Sequence, residues 1–362
     1  MKKHILTAIF SGMLIFLGGC SDKLDLTEFG NSVRDTTPPG DTTYIQLNPV
    51  WSGFNNPQDI LIGREPFIYV ADTDNDRIVM MRLDGTIAGA LPIKHPIAIA
   101  QDYEFNLIVC GQFDTVLSTG ALQTYDAVYK IDLVASNHNI ASAPVTRLLP
   151  RVGVADDFNT ALKYTGVTVL YDNRIFVTRK GPINNNIFKL PDNSILFFER
   201  RIIGGVKKDT LIGRVPLIEP LGTGLLSANN LSSIAAFNRR NQDIVVTLTG
   251  ENSFKTQWFT FIETTEFSGY ISKLQPGNAD LMRVGRFEQP EDVAIDNSGN
   301  MFIVDAQKDS VFVFNSSGDE AQSFGGSSMF NGPMGVAFYD RTLYIADTKN
   351  NRILRFILST NI

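Results

Sequence analysis

The stretch Pro333–Ile353 reads PMGVAFYDRTLYIADTKNNRI and has a regular order of strand and turn signals. A proline precedes an apolar run, a polar turn follows, and a second apolar run ends at Asp347 before another polar turn. Short runs rich in Val, Ile, Tyr and Phe between such turns are typical of antiparallel strands. The stretch therefore predicts three successive strands, with Asp347 at the turn between the second and the third.

The same order recurs along the chain. Pro57–Ile78 reads PQDILIGREPFIYVADTDNDRI, and Pro290–Ala306 reads PEDVAIDNSGNMFIVDA. Weaker copies begin at Pro96, Tyr164 and Leu231. Internal repeats of about 40 residues are the sequence signature of four-stranded propeller blades. Six copies thus predict an all-β protein, a six-bladed β-propeller.

The three stronger copies resemble NHL repeats, and the last is close to the consensus of that family. The resemblance implies an NHL-type propeller with four-stranded blades over residues 44–362. The last copy has room for only three strands before Ile362. We therefore expect the run Tyr44–Leu47, which precedes the first copy, to supply the missing outer strand, close the ring and remove an open sheet edge.

The middle copies are longer than the others. We expect the third strand of blade three at Ile187–Leu190 and that of blade four at Gly269–Leu274. The excess sequence is then expected in insertions at about 112–126, 134–160, 179–228 and 250–267. Loops tolerate such growth and often carry function. The aromatic residues Phe197-Phe198 and Trp258–Phe261 would be a binding surface if exposed, although the alternation around Trp258 favours a buried strand.

The N-terminus has the pattern of a bacterial targeting signal. Two lysines precede the apolar run Ile5–Leu17, which is too short to span a bilayer, and the box Leu17–Cys20 follows. This box resembles the lipobox of bacterial lipoproteins, in which the cysteine becomes the lipidated N-terminus. The resemblance implies a signal peptide at 1–19, lipidation at Cys20 and a lipidated flexible tether at 20–43. An ordinary signal peptide with a chance cysteine is the alternative.

The residue after the cysteine bears on location. In the sorting rule of enteric lipoproteins, aspartate at this place favours retention in the inner membrane, so Ser21 favours the outer membrane. We expect a lipid-anchored cell-envelope protein that faces the periplasm or the cell surface.

Composition narrows the range of partners. The formal net charge is −6, and the basic pairs Arg200-Arg201 and Lys207-Lys208 are isolated and typical of solvated loops or strand ends. A nucleic-acid partner is not expected, because binding phosphates requires a basic surface. Cys110 is the one cysteine besides Cys20, which excludes a disulfide framework and favours a buried, inert thiol.

Aspartates recur at the turn after the second strand. Asp72–Asp76 alternates oxygen ligands as a calcium loop does, but Arg77 stands where such a loop requires glycine. Because aspartate also occupies this turn at Asp305 and Asp347, we interpret it as a turn device. Its carboxylate is expected to accept backbone N–H bonds and to meet the nearby arginine.

Acidic residues also begin two of the inner strands, which line the central channel in propellers. These residues are Asp59, Glu291 and Asp292. Blades one and five flank blade six, so Asp59 and Asp292 are expected to approach each other across Gly335. Two such carboxylates could bind a cation or raise each other's pKa. The alternative, which we favour, is that each caps its own strand turn.

Two functional hypotheses follow. The first is a non-catalytic binding propeller without a resident cofactor, whose partner is an unknown protein, a glycan or a small ligand. The second is an enzyme of the lactonase or lyase propeller type, with a divalent cation such as Ca²⁺ in the channel. NHL-like amidating lyases hold zinc with three channel histidines, whereas this chain keeps only His95 and His138 after signal cleavage. We assign no catalytic residue and leave the metal open.

Overall fold

The computed structural model describes residues 43–186, 189–237, 240–274 and 280–361. The predicted signal peptide at 1–19, the lipidation site Cys20 and the tether as far as residue 42 lie outside these residues and remain predictions. None of the helices in the described ranges has the length and apolar character that a membrane span requires.

In these ranges, 24 strands form six antiparallel sheets of four strands each. Blade one is β2 Pro57–Ile62, β3 Phe67–Asp72, β4 Arg77–Arg82 and β5 Ile87–Pro92. Blade two is β6 Lys94–Gln101, β7 Asn106–Val116, β8 Leu122–Asp132 and β9 Val145–Leu149. Blade three is β10 Lys163–Val169, β11 Ile175–Lys180, β12 Ser194–Ile203 and β13 Val206–Arg214.

The other half of the ring has the same plan. Blade four is β14 Leu231–Ala236, β15 Ile244–Leu248, β16 Thr256–Glu263 and β17 Ser268–Ser272. Blade five is β18 Pro290–Ile295, β19 Met301–Asp305, β20 Ser310–Phe314 and β21 Glu320–Gly325. Blade six is β22 Gly335–Tyr339, β23 Thr342–Asp347, β24 Arg352–Leu358 and the N-terminal β1 Tyr44–Ser52. The helices are short 3₁₀ turns at Thr73–Asn75, Ile140–Ser142, Ala155–Asp157, Thr348–Asn350 and Ser359–Asn361.

The N-terminal strand closes the ring. β1 pairs antiparallel with β24, with Tyr44 opposite Leu358 and Ser52 opposite Arg352. Each inner strand contacts the inner strand of the next blade, and β22 of blade six contacts β2 of blade one. The predicted fold, an all-β six-bladed propeller closed by its N-terminal strand, is confirmed.

The cores lie between blades. Alternate residues of β3 point to opposite neighbours, so that Ile68 and Val70 pack towards blade six and Tyr69 and Ala71 pack towards blade two. All four are fully buried. A strand covered on both faces needs a nearly continuous apolar run, which explains the sequence FIYVA of β3.

The strand assignments in blades three and four differ from the prediction. The third strand of blade three is β12, and residues 189 and 190, the described part of Ile187–Leu190, are not strand. The third strand of blade four is β16, and most of the predicted range Gly269–Leu274 belongs to the fourth strand, β17. The expected insertions at 179–228 and 250–267 thus contain blade strands. The charged residues of β12 and β13 interrupt the apolar alternation on which the sequence reading depended.

The aromatic residues of these ranges belong to the blades. Trp258 and Phe259 on β16 and Phe198 on β12 are buried, whereas Phe197 is partly buried. The interpretation of the Trp258 segment as a buried strand is confirmed. Cys110, on β7, is a buried free thiol, and burial raises its pKa, as expected of an inert cysteine.

The direction of the strands defines two faces. We call the face at which the inner strands begin the upper face, and the face at which they end the lower face. Because successive strands of a blade are antiparallel, connections between blades and between second and third strands lie on the upper face. The longer connections at 150–162, 215–230 and 249–255, and the tip of the β7–β8 hairpin, therefore share the upper face.

Candidate functional site

A channel of about 720 Å³ follows the axis of the ring. Its wall consists of the six inner strands, each of which pairs on one side only and so presents its other edge to the channel. The upper mouth has polar and acidic side chains: Gln58, Asp59, Thr165, Ser233, Glu291 and Asp292. The lower mouth has charged side chains of both signs and aromatic ones: Arg64, Tyr103, Phe237, Asp296, Tyr339, Asp340 and Arg341.

A recurring β-bulge shapes the upper mouth. The register of four inner strands shifts directly after their first or second residue, between Pro57 and Asp59 in blade one and between Pro290 and Asp292 in blade five, for example. A bulge redirects the side chains beside it. The bulged residues include Gln58 and Glu291, so the same local distortion accounts for both of these mouth residues.

Asp59 links blade one to blade two. Its Oδ1 accepts a bond from the N–H of Ile60 at 2.6 Å, and its Oδ2 accepts one from the N–H of Ile99, on β6, at 2.6 Å. Asp59 therefore caps its own strand turn, as the favoured interpretation predicts, but only with one of its two oxygens. The other oxygen makes a hydrogen bond between neighbouring inner strands.

Asp292 occupies the equivalent place in blade five and has the same kind of partner. Its Oδ2 accepts a bond from the N–H of Val336, in blade six, at 2.9 Å. Its Oδ1 accepts a bond from the Ser233 hydroxyl, in blade four, at 2.7 Å. Asp292 thus joins three blades at the upper mouth.

Gly335 lies where blades one and six meet. A Cβ at this position would lie 2.8 Å from the Cα of Asp59 and 2.9 Å from the carbonyl oxygen of Gln58. Only glycine permits this approach of two backbones. Gly335 directly precedes Val336, so the hydrogen bond of Asp292 and the backbone of Asp59 lie on either side of one peptide segment, as the sequence predicts.

The carboxyl groups of both aspartates have raised pKa values. Burial raises the pKa of Asp59 well above its usual value, and the charge of Asp292 raises it further. Burial also raises the pKa of Asp292 to about 6, although the hydrogen bonds from Ser233 and Val336 act to lower it. Both side chains keep some surface open to the channel. The pair therefore holds a proton more readily than ordinary carboxyl groups do.

Glu291 lies beside this pair on the bulge of β18. Its side chain accepts a bond from the amide of Gln289. Burial raises the pKa of Glu291, whereas the hydrogen bond from Gln289 and the charge of Lys180 lower it. Glu291 is thus a third partly buried carboxyl group at the upper mouth.

These residues do not fit a calcium site. Ca²⁺ takes six to eight oxygen ligands. The oxygens of Asp59 and Asp292 already accept bonds from protein donors, and Glu291 accepts one from Gln289. Across the described ranges, no group of three or more His, Cys, Asp or Glu side chains is arranged to hold a metal ion.

The turn aspartates accept backbone N–H bonds, as the sequence predicts, and two of the three, Asp72 and Asp347, also pair with an arginine, whereas Asp305 has backbone partners only among the described residues. Asp72 accepts a bond from the N–H of Asn55 at 2.7 Å and pairs with the Arg77 guanidinium at 2.6 Å. Asp347 repeats the arrangement, with Arg352 at 2.7 Å. The segment Asp72–Asp76 is therefore a turn fixed by an ion pair. His95 lies next to it on β6, where its N–H donates to Asp76.

The lower mouth was not anticipated. The guanidinium of Arg64 lies 3.4 Å from the ring centroid of Tyr103, a cation–π contact between the lower turns of blades one and two. Arg341 is exposed at the β22–β23 turn, where it and Asp340 both have positive φ. Neither turn carries a sequence signal beyond its polarity. The contact between Arg64 and Tyr103 joins residues 39 positions apart in the chain, so no local pattern predicts it.

Comparisons with known proteins agree on the architecture. No protein-family model matches the sequence, and no curated protein matches it. An auxiliary nutrient binding protein from Bacteroides thetaiotaomicron VPI-5482 superposes with a TM-score of 0.56 and 10% identity, over 84% of this chain and 70% of that one. A protein of unknown function from the same organism gives 0.55 and 13%, over 88% and 72%.

An enzyme shares the fold as well. The aldose sugar dehydrogenase of Streptomyces coelicolor, in its PQQ-bound form, superposes with a TM-score of 0.51 and 12% identity, over 89% of this chain and 99% of that one. At such identities the likeness shows the propeller fold alone. The finer assignment to NHL-type repeats rests on the sequence motifs and stays a prediction.

Proposed function

We propose that this chain is a lipid-anchored cell-envelope protein whose propeller binds a small polar ligand, such as a glycan fragment, at the upper mouth of the channel. The observation that carries the proposal is the convergence of six polar side chains from blades one, three, four and five on one end of a channel of about 720 Å³. Ligand pockets typically have volumes of about 300–1,000 Å³.

The chemistry of the mouth suits a ligand rich in hydroxyl groups. The amide of Gln58 can donate and accept hydrogen bonds. The hydroxyl groups of Thr165 and Ser233 donate to the Leu231 carbonyl and to Asp292, and each can accept a bond from a ligand. The raised pKa values of Asp59 and Asp292 favour their protonated forms, in which a carboxyl group can donate as well as accept. A phosphate or carboxylate ligand is disfavoured here, because the mouth is acidic. The Bacteroides neighbour is named for nutrient binding, which is consistent with this proposal.

The anchor places this binding function at a membrane. Lipidation at Cys20 and export to the outer membrane are inferred from the lipobox and Ser21. A polar segment such as the tether, which cannot bury a core, would link the propeller to the lipid anchor without itself entering the bilayer. The protein would then capture its ligand in the periplasm or at the cell surface.

A screen of neutral mono- and oligosaccharides by thermal shift, followed by calorimetric titration, tests the proposal. A ligand at a hundredfold excess over its Kd stabilises the protein by about 2.7 kcal/mol. We expect Gln58→Ala and Asp292→Ala to weaken binding at least tenfold, and the exposed upper-face control Glu251→Ala to leave it unchanged. A saccharide that binds all four proteins equally, or none that binds the wild type, contradicts the proposed site.

The second candidate is a metal-dependent lactonase or lyase. The one observation in its favour is the pair of buried carboxyl groups with raised pKa values at the channel mouth, since perturbed carboxyl groups cluster at active sites. The test is to add Ca²⁺ to metal-free protein, follow the melting temperature and assay lactone hydrolysis. A calcium-dependent rise together with turnover, both lost in Asp292→Ala, would replace the binding proposal by the enzyme.

A further inference from the structure

The hairpin formed by β12 and β13 ends in an exposed apolar tip. Residues 200–208 read RRIIGGVKK, and Gly204-Gly205 form the two-residue turn with φ of 61° and 80°. Two consecutive positive φ values are those of a tight type I′ hairpin. Ile202, Ile203 and Val206 are 75%, 48% and 57% exposed. A soluble protein gains nothing from three neighbouring aliphatic side chains in water.

The base of the hairpin is fixed to the body of the propeller. Arg200 bonds to Asp209 across the hairpin and to Asp102 at the lower turn of blade two, each at 3.2 Å. Lys130 joins the same two aspartates, at 3.3 Å to Asp102 and 2.7 Å to Asp209. Both aspartates are almost fully buried. The tip is therefore held outward on a short, braced hairpin.

Cations surround the apolar tip. The exposed cations beside the tip are Arg201, Lys207 and Lys208, and residues 201–208 contain no acidic residue, although the whole chain has a net charge of −6. Arg201 bonds to Glu199 at 3.2 Å, and Lys207 lies 3.8 Å from Glu104. Lys208 is exposed and makes no ion pair with any described residue. Aliphatic side chains with adjacent cations are complementary to the surface of an anionic bilayer.

The tip and the N-terminal entry of the ring lie on the same face. The β12–β13 turn joins a third strand to a fourth, so it lies on the lower face. β1 is antiparallel to β24 and begins with Tyr44 opposite Leu358, so the chain enters the ring at the lower face. Blades three and six stand opposite each other in a ring of six. The predicted anchor and the tip would thus hold the ring from two sides.

We propose that the β12–β13 tip inserts Ile202, Ile203 and Val206 into an anionic lipid surface, and that the lower face of the propeller therefore lies against the membrane. The upper mouth with Asp59 and Asp292 then points away from the bilayer. The exposure and charge of the tip are sufficient for this inference, and the predicted lipidation at Cys20 adds only a second attachment. It does not depend on which ligand the channel binds.

Vesicle sedimentation tests the proposal. Residues 21–362 retain the whole described ring and carry no lipid, so binding reports the protein surface alone. We expect cosedimentation with vesicles of phosphatidylcholine and phosphatidylglycerol, and much less with phosphatidylcholine alone. The double change Ile202→Ser/Ile203→Ser should lower the partition coefficient about tenfold. Lys207→Ser/Lys208→Ser should lower it about fivefold for each lysine and remove most of its salt dependence.

The chain supplies a matched control on the opposite face. The β7–β8 hairpin also ends in exposed aliphatic side chains, with Val116 and Leu122 each 67% exposed, but residues 114–124 contain no Lys or Arg. Val116→Ser/Leu122→Ser should leave vesicle binding unchanged. Equal losses from Ile202→Ser/Ile203→Ser and from Val116→Ser/Leu122→Ser, or no preference for anionic vesicles, would overturn the proposal.

A fluorescent probe at each tip gives a second measurement. Ile203→Trp should show a blue shift and protection from aqueous quencher when anionic vesicles are added, whereas Leu122→Trp should show neither. Absence of both changes at Ile203→Trp, in a variant with an unchanged melting temperature, contradicts insertion. The saccharide screen measures the upper mouth without lipid, so a failure of either proposal can be distinguished from a failure of the other.

Discussion

At the scale of single residues, the carboxyl pair Asp59 and Asp292 determines how the upper mouth responds to pH. Burial raises both pKa values, that of Asp292 to about 6, and the charge of Asp292 raises the pKa of Asp59 further. A group whose pKa is raised by folding stabilises the protein below its unfolded pKa and loses that contribution as the pH rises through its folded pKa. The free energy of unfolding is therefore expected to decrease between about pH 4 and pH 7.

The change Asp292→Asn tests this pH dependence. An asparagine can still accept from the N–H of Val336, and its amide can donate to the Ser233 hydroxyl, which then acts as an acceptor. We expect the variant to be about 1–3 kcal/mol more stable than the wild type at pH 8 and no more stable at pH 4. Urea unfolding at several pH values measures the difference, with Glu251→Gln as an exposed control. If the difference in the free energy of unfolding between the two proteins were the same at every pH in this range, Asp292 would not have the raised pKa.

Gly335 gives a second prediction at this scale. Gly335→Ala brings a Cβ to 2.8 Å from the Cα of Asp59, where only backbone movement could relieve the contact. We expect a loss of about 1–3 kcal/mol in the free energy of unfolding. The control is Gly224→Ala, because a Cβ at Gly224 meets no atom within 4 Å and its φ is not positive. Equal stability of the two variants would show that blades one and six separate easily.

At the scale of elements, β1 decides whether blade six is complete. Its first residues pair with Leu358, Ile357, Phe356 and Arg355, and the ring of Tyr44 stacks on that of Phe324 in blade five at 4.7 Å between centroids. A chain that starts at Pro49 would lose these contacts and leave an open edge on β24. We expect its melting temperature to be about 5–10 °C below that of a chain starting at Thr37.

Differential scanning calorimetry of these two truncated chains measures the closure. Both lack the signal peptide and Cys20, so the difference reports the residues up to Asn48 alone. Identical transitions would mean that β1 does not contribute to the cooperative unit.

At the scale of the whole molecule, the chain enters the ring at the lower face, which also carries the β12–β13 tip, and the upper face carries the acidic channel mouth. Lipidation at Cys20 is the other inferred membrane attachment. The Cys20→Ser change tests this attachment. We expect the wild type to fractionate with the outer membrane and the variant to lose most of this association, since a tip of three aliphatic residues binds far more weakly than a lipid anchor. A variant that still pellets completely with the outer membrane contradicts lipidation at Cys20.

The sequence by itself determined the local repeat. The Asp72 and Asp347 turns, the inner strands and the β1 closure were predictable, because each depends on a period of two and on turn residues close in sequence. In blade three the prediction failed, because charged residues in β12 and β13 interrupt that period while their pairing is set by the neighbouring strand. In blade four the Trp258 segment was predicted to be a strand, but as part of an insertion and not as the third strand of the blade.

Only the tertiary structure decided how distant residues meet. Asp59 and Asp292 could be predicted to line the channel, but not that they bond to Ile99 and Val336 of the adjacent blades. The Thr348 hydroxyl bonds to the carbonyl of Pro57 across 291 positions of the chain. The tip at Gly204-Gly205 and the entry at Tyr44 share a face only because the ring closes. Such contacts depend on the closure of the blades in space, which no local pattern encodes.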